Sequence, residues 1–235
     1  MLFRSFLGEG KFDGKPHAKL RVVANLYPED LHLVMPKGSS IDSLSDLEGK
    51  RVGIAQAGSG TQVAVEMMMA EWGLNRDNYD EAELNNSQSA ERLADGQLDA
   101  YFYAAGWPVS AMVQLSTTKG MELHSFTDDD LAKINDIIPA YIPSSIPAGV
   151  YEGVDYEVKT PAVSALLVVS SDLSEELVYG ITKAMWNDNT RKLLENGHAK
   201  GKQITPDTAL DGIAALGVPL HAGAEKFYKE AGLLK

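Results

Sequence analysis

The residues best placed to do chemistry form one short run, Gln56-Ala57-Gly58-Ser59-Gly60-Thr61, between an apolar stretch and a helical pattern. A strand, a Gly-rich turn and a helix in that order present backbone N–H groups at the positive end of a helix dipole, a ready site for an anion. The glycines let a ligand approach the backbone closely, and Ser59 and Thr61 add hydroxyl donors. The same residues read equally well as a helix cap, with Ser59 at the N-cap and Gln62 three residues on. No Gly-Lys-Ser/Thr follows, so the turn is not a Walker loop, and the GxGxxG spacing of dinucleotide sites is absent.

A second run, Asp99 to Pro108, reads as a buried strand ending in Ala104-Ala105-Gly106 and then Trp107-Pro108. In open α/β sheets ligands lie beyond the carboxyl ends of strands, so Tyr103, Gly106 and Trp107 are candidates to wall a site. Tyr101 and Phe102 read as core. The five histidines are scattered without metal spacing. Asp128-Asp129-Asp130 lacks the glycine and terminal glutamate of a calcium loop and reads as a solvated helix start. Met67-Met68-Met69 reads as helix core. No nucleophile elbow or catalytic triad order appears, and no cofactor or metal is expected.

The elements that would hold these runs can be traced along the chain. Leu20–Leu26 and Leu31–Met35 read as two strands separated by Tyr27-Pro28-Glu29-Asp30. Val52–Ala55 reads as a strand before the Gly-rich turn, and Thr61–Trp72 as a helix stopped by Gly73. Ser89–Ala94 is helical, Leu98–Ala104 a strand, and after Gly106-Trp107-Pro108 a helix runs through Leu115. Pro139–Tyr151, with three prolines, reads as a loop. Ala162–Val169 is an apolar strand, followed by helices over Ser174–Glu195, Pro206–Leu216 and Gly223–Ala231. Alternating strands and helices imply an α/β lobe on a largely parallel sheet.

The bulk properties narrow the class. The 235 residues include 33 acidic and 21 basic side chains, a net charge of −12, and no cysteine. That balance repels nucleic-acid phosphates and anionic lipid, so nucleic-acid binding is not expected. Disulfides and thiolate chemistry are excluded. No apolar run reaches the roughly 20 residues of a membrane helix.

Several strings occur together and in order: LRVVANLYPEDLHLVM, DLEGKRVGIAQAGSGT, DGQLDAYFYAAGWP, IPAGVY and PLHAGAEKFYKEAG. As a set, from about Gly8 to Gly232, the chain resembles the solute receptors of TAXI-type TRAP transporters. The resemblance implies a type II periplasmic-binding-protein fold: two α/β lobes, a ligand cleft between them, and crossing strands. It implies a periplasmic, monomeric, non-enzymatic receptor that works with TRAP membrane subunits. The implied ligand is a small anionic solute: glutamate, a related amino acid or a dicarboxylate. Gly58, Ser59, Gly60 and Thr61 would form the carboxylate turn of lobe two. Tyr27 and Glu29 would lie near the hinge, and Gly106, Trp107 and Pro108 on the opposite wall.

The implied division puts part of lobe one and a crossing strand in residues 1–40, lobe two in 41–160, and the return to lobe one in 161–235. Lobe one is expected to be incomplete, because receptors of this family carry a signal peptide and a leading segment that find no counterpart here. Leu2-Phe3-Arg4-Ser5 matches nothing in that family and is what a common sequencing-adapter string encodes, so a chain that begins inside a longer reading frame is expected. The rival readings are a ligand-binding sensor module and an enzyme on the same fold.

Overall fold

The protein is described by a computed structural model covering residues 2–8 and 10–234. Met1, Glu9 and Lys235, which fall in the expected lobe one, lie outside the described residues.

The elements in chain order are α1 (Leu2–Leu7), β1 (Leu20–Pro36), β2 (Arg51–Gly53), α2 (Gly60–Glu71), β3 (Asp80–Ala82), α3 (Asn86–Ala94) and β4 (Ala100–Ala105). They continue with α4 (Ser110–Thr118), β5 (Met121–Leu123), α5 (Asp128–Ile137), β6 (Tyr141–Ile146), β7 (Val158–Ser170), α6 (Glu175–Met185), α7 (Asp188–Gly197) and α8 (Ala222–Glu230). The mixed α/β class expected from the sequence is what the chain adopts. It divides into two compact units, one made of residues 1–27 with 164–235 and the other of residues 28–163. The long strands β1 and β7 each contribute to both.

Strand order is β3-β2-β4-β1-β7-β6, with β5 also pairing β1. The sheet is not largely parallel, contrary to the sequence reading. Strands β2 and β3, and β2 and β4, run parallel, whereas β1 is antiparallel to β4 and β5, and β6 to β7. The parallel part is confined to the βαβ windings, where a helix returns the chain to the same end of the sheet.

Two further corrections concern proline. Pro28 does not divide β1, which is one strand of 17 residues. Proline has no N–H to give, but the ladder to β4 starts two residues on, at Asp30↔Ala105, so no rung of it is lost. The Pro139–Tyr151 stretch contains β6 rather than only loop. Pro143 is the register partner of Pro161, so two missing donors share one rung, on a strand that ends the sheet order, where proline is tolerated.

The helix expected over Ser174–Glu195 is two, because Asn187 starts a new one by accepting the Thr190 N–H at 2.9 Å. The Pro206–Leu216 helix is instead two short 3-10 turns, Pro206–Thr208 and Ile213–Leu216. Strands β3 and β5 were not legible in the sequence; each is three residues long.

In the 28–163 unit the sheet is covered on both faces. On one face Leu31, Leu33, Val52, Ile54 and Phe102 pack with Ala64, Val65, Met68 and Met69 of α2. On the other, Val34 and Tyr101 pack with Ala90 and Leu93 of α3 and Met112 and Leu115 of α4. The expected core roles of Tyr101, Phe102 and the Met67–Met69 run hold, except that Met67 is only half-buried.

In the other unit Val23 and Ala24 of β1 pack with Val178, Ala224 and Tyr228 of α6 and α8. There the Tyr228 hydroxyl donates to the Val23 carbonyl at 3.0 Å and accepts from Trp186 Nε1 at 3.2 Å.

Candidate functional site

The candidate residues, Tyr27 apart, gather at one end of the sheet in the 28–163 unit. Parallel pairing brings β2 and β4 side by side, Gly53 opposite Tyr101. Both strands therefore discharge their turns at the same end. The helix after β2 packs on one face and the helix after β4 on the other. That is a topological switch point, where successive connections part and leave a crevice beyond the strand ends.

The first wall is the turn after β2. Ala55 has φ +71°, a left-handed conformation that costs a non-glycine residue about 1–3 kcal/mol. Gly58 follows at φ +72°, where glycine carries no such cost. The Ser59 hydroxyl caps α2 by accepting the Gln62 N–H at 3.1 Å. The buried Gln62 side chain then reaches past the expected box partner. Its Oε1 accepts the Gly58 N–H at 2.5 Å, and its Nε2 donates to Glu83 Oε1 at 2.6 Å.

The cap and the anion site are thus not alternatives. The cap takes the donors of Gly58 and Gln62, while helix geometry leaves those of Gly60 and Thr61, the first two helical positions, without intrahelical acceptors. Gly60 is exposed and Thr61 half-buried.

The second wall is the segment after β4. Tyr103, Gly106, Trp107 and Pro108 are all half-buried, and the Trp107–Pro108 peptide is cis. Tyr103 and Trp107 rest against the α3/α4 face of the core. The segment is anchored by a network that the sequence reading missed. The Val109 N–H donates to the Tyr151 hydroxyl at 3.1 Å. That hydroxyl lies 3.0 Å from His32 Nε2, and His32 Nδ1 lies 2.9 Å from the Asp30 carbonyl and 3.2 Å from that of Tyr103.

Carbonyl oxygens only accept, so Nδ1 carries the imidazole proton and the Tyr151 hydroxyl donates to Nε2. Burial pushes the Tyr151 phenol well above its ordinary range, which keeps the donor protonated. The buried Asp30 carboxylate accepts from Ser144 Oγ at 2.6 Å. A histidine and an aspartate inside an apolar strand were the visible signal; their partners lie far along the chain.

Glu29 stands just beyond the last β1–β4 pair. Strand alternation puts it on the α2 face with Leu31 and Leu33. It is half-buried, and burial raises its carboxyl above the usual carboxylate range. Burial, with a smaller contribution from the Glu29 charge, pushes the Tyr141 phenol up to about 12. Tyr27 is half-buried on β1 and belongs to the other unit.

Two of the other histidines cap turns. His221 Nδ1 accepts the Gly223 N–H at the start of α8, and His198 Nδ1 accepts that of Lys200. His124 is buried and held below the ordinary histidine range by that burial. Among the described residues no group of three His, Asp or Glu could hold a metal ion, and no helix is long and apolar enough to cross a membrane.

The sequence model of the NMT1-like family matches residues 1–232. Among solved structures, a periplasmic sulfonate-binding protein of a sulfonate ABC transporter from Methylobacillus flagellatus KT is similar at 15% identity, with a TM-score of 0.46. The match covers 94% of this chain and 64% of that one. The alkanesulfonate-binding protein from Xanthomonas axonopodis pv. citri, bound to MOPS, is similar at 19% identity, 97% and 62% coverage and a TM-score of 0.43. An ancestral arginine-binding protein bound to arginine is similar at 22% identity, 76% and 64% coverage and a TM-score of 0.45. The chain spans 62–64% of the length of these proteins.

Proposed function

The chain belongs to the NMT1-like family, and on that premise we propose that it is an extracytoplasmic solute receptor for a small anionic molecule, delivering it to a membrane transporter. The observation that carries this reading is the switch point at the ends of β2 and β4, where Gly60 and Thr61 present backbone donors at a helix N-terminus. Capture needs no catalytic group. A solute with higher affinity for a closed than an open arrangement shifts that equilibrium by the difference.

At finer grain, the ordered strings shared with TAXI-type receptors favour a TRAP transporter as partner and glutamate, a related amino acid or a dicarboxylate as ligand. The 28–163 unit would be lobe two of a type II binding protein, with Gly58–Thr61 as its carboxylate turn and Gly106–Pro108 as the facing wall. Tyr27 would lie at the hinge. The similar proteins named for sulfonates and arginine place two further ligand classes in any screen.

The test is calorimetry of this chain against L-glutamate, glutarate and an alkanesulfonate, repeated on two variants. Gly60→Val puts a branched side chain where the ligand must approach the backbone, so binding should be lost while the melting temperature without ligand stays. Thr61→Ala should cost about 0.5–1.5 kcal/mol of binding, the worth of one neutral hydrogen bond. Undiminished affinity in Gly60→Val would remove the turn from the site.

A further inference from the structure

The free edges of the sheet are not protected alike. Strand β3, at one end of the strand order, is three residues long and carries Asp80 and Glu81. Strand β6, at the other end, carries Pro143. Shortness, charge and proline are the usual means of keeping a strand edge from pairing with another chain. Strand β7 has none of them where it outruns β6. Their ladder stops at Tyr141↔Val163, while β7 continues to Ser170. The strands beside β7 are β1 and β6, so from Ser164 to Ser170 the side that pairs β6 earlier in the strand is open among the described residues. That stretch reads Ser-Ala-Leu-Leu-Val-Val-Ser, and all of it is half-buried.

The helix that covers this stretch is bare on the matching flank. Helix α6 packs Val178 on the sheet face of Leu167 and Val169. Helix α8 holds one flank of α6, with Lys226 on Glu175 at 3.2 Å and the Tyr179 hydroxyl donating to Glu230 at 2.7 Å. It lies over β1, where Tyr228 bonds the Val23 carbonyl. The other flank of α6 therefore faces away from β1, toward the open side of β7. Leu177 and Ile181, one turn apart on that flank, are 50% and 37% exposed. An unpaired apolar strand edge beside an apolar helix flank, within one compact unit, marks an interaction surface.

The pattern selects the partner. Two copies of one strand can pair antiparallel about a two-fold axis normal to the sheet, which keeps their helices on the same face and sets them antiparallel. Helix α6 then lies beside its counterpart, Leu177 and Ile181 against the same two residues of the second copy. Glu176 and Lys183 lie two turns apart on one side of α6, and neither has an ion-pair partner among the described residues. They share a centre with Leu177 and Ile181, at the same turn of the helix. The two-fold therefore sets Glu176 opposite Lys183 of the second copy, and Lys183 opposite its Glu176.

We propose that a second copy of this chain docks here, joining the two sheets through β7 and packing α6 on α6. The proposal goes beyond the receptor reading and does not depend on it.

Analytical ultracentrifugation of this chain, without ligand, tests it. The parent should show a monomer–dimer equilibrium. Leu177→Glu and Ile181→Glu replace exposed side chains, and each should weaken the dimer by about tenfold or more by placing like charges in contact. Glu176→Lys and Lys183→Glu should each weaken it too. An equimolar mixture of those two variants should recover most of the parent's affinity, because each copy then meets an opposite charge at both positions. Misfolding of a single variant could not produce that recovery. A parent that stays monomeric at every concentration, as the family resemblance implies, would overturn the proposal. So would a dimer that Leu177→Glu leaves unchanged, or a mixture that associates no better than either variant alone. Growth beyond the dimer would show an open-ended contact in place of the two-fold one and overturn it as well.

Discussion

At the scale of single residues, function and structure use the same side chains in different measure. Ser59 and Gln62 were legible as a cap, and they form one, yet Gln62 spends its side chain on Gly58 and Glu83 rather than on Ser59. That reach depends on where β3 delivers Glu83, which local sequence does not encode. His32 was legible only as one of five scattered histidines, because its partners Tyr103 and Tyr151 are distant in sequence. Its network makes a specific expectation. Tyr151→Phe removes the hydroxyl that accepts from Val109 and donates to buried His32, leaving buried polar groups unpaired. The loss should be about 1–3 kcal/mol, seen as a lower midpoint in urea with an unchanged slope. An unchanged midpoint would mean that the network does not hold the Gly106–Pro108 wall.

At the scale of elements, the sequence was most legible where apolar periodicity and capping agree. Helices α2, α4 and α8 fall within three residues of their expected ends. It was least legible where proline sits in a strand, since a missing donor matters only if the register places it on a bonded rung, and register is a tertiary property. Thus β1 and β6 had to be seen to be known.

The close approach of β2 to β4 is of the same kind. A Cβ on Gly53 would lie 2.7 Å from the Tyr101 Cβ and 3.3 Å from Leu98 Cδ1. Gly53→Ala should therefore destabilise by about 1–3 kcal/mol through overpacking. Gly180, within α6, has nothing within 4 Å of the same position and an ordinary φ. Gly180→Ala should stabilise by about 0.4–1 kcal/mol by removing freedom from the unfolded chain. Denaturant titration of the two variants checks both signs. A neutral Gly53→Ala would show that the strand ends are looser than the register implies.

At the scale of the whole molecule, the net charge of −12 and an anion-binding role are compatible because a site sets its own field. The donors of Gly60 and Thr61 act within a few ångströms, where a helix end outweighs distant surface charge screened over about 8 Å. The α/β class was legible from the alternation of strands and helices. The switch point was not, because it depends on which face each helix takes.

The central claim is that the turn after β2 holds the solute's anionic group, and amide NMR of this chain titrated with L-glutamate tests it most directly. The Gly60 and Thr61 amide resonances should move saturably and further than those of Met121–Leu123 on the far side of β1, and in Gly60→Val the amides at positions 60 and 61 should both stay still. Saturable shifts that leave Gly60 and Thr61 unmoved would contradict the claim.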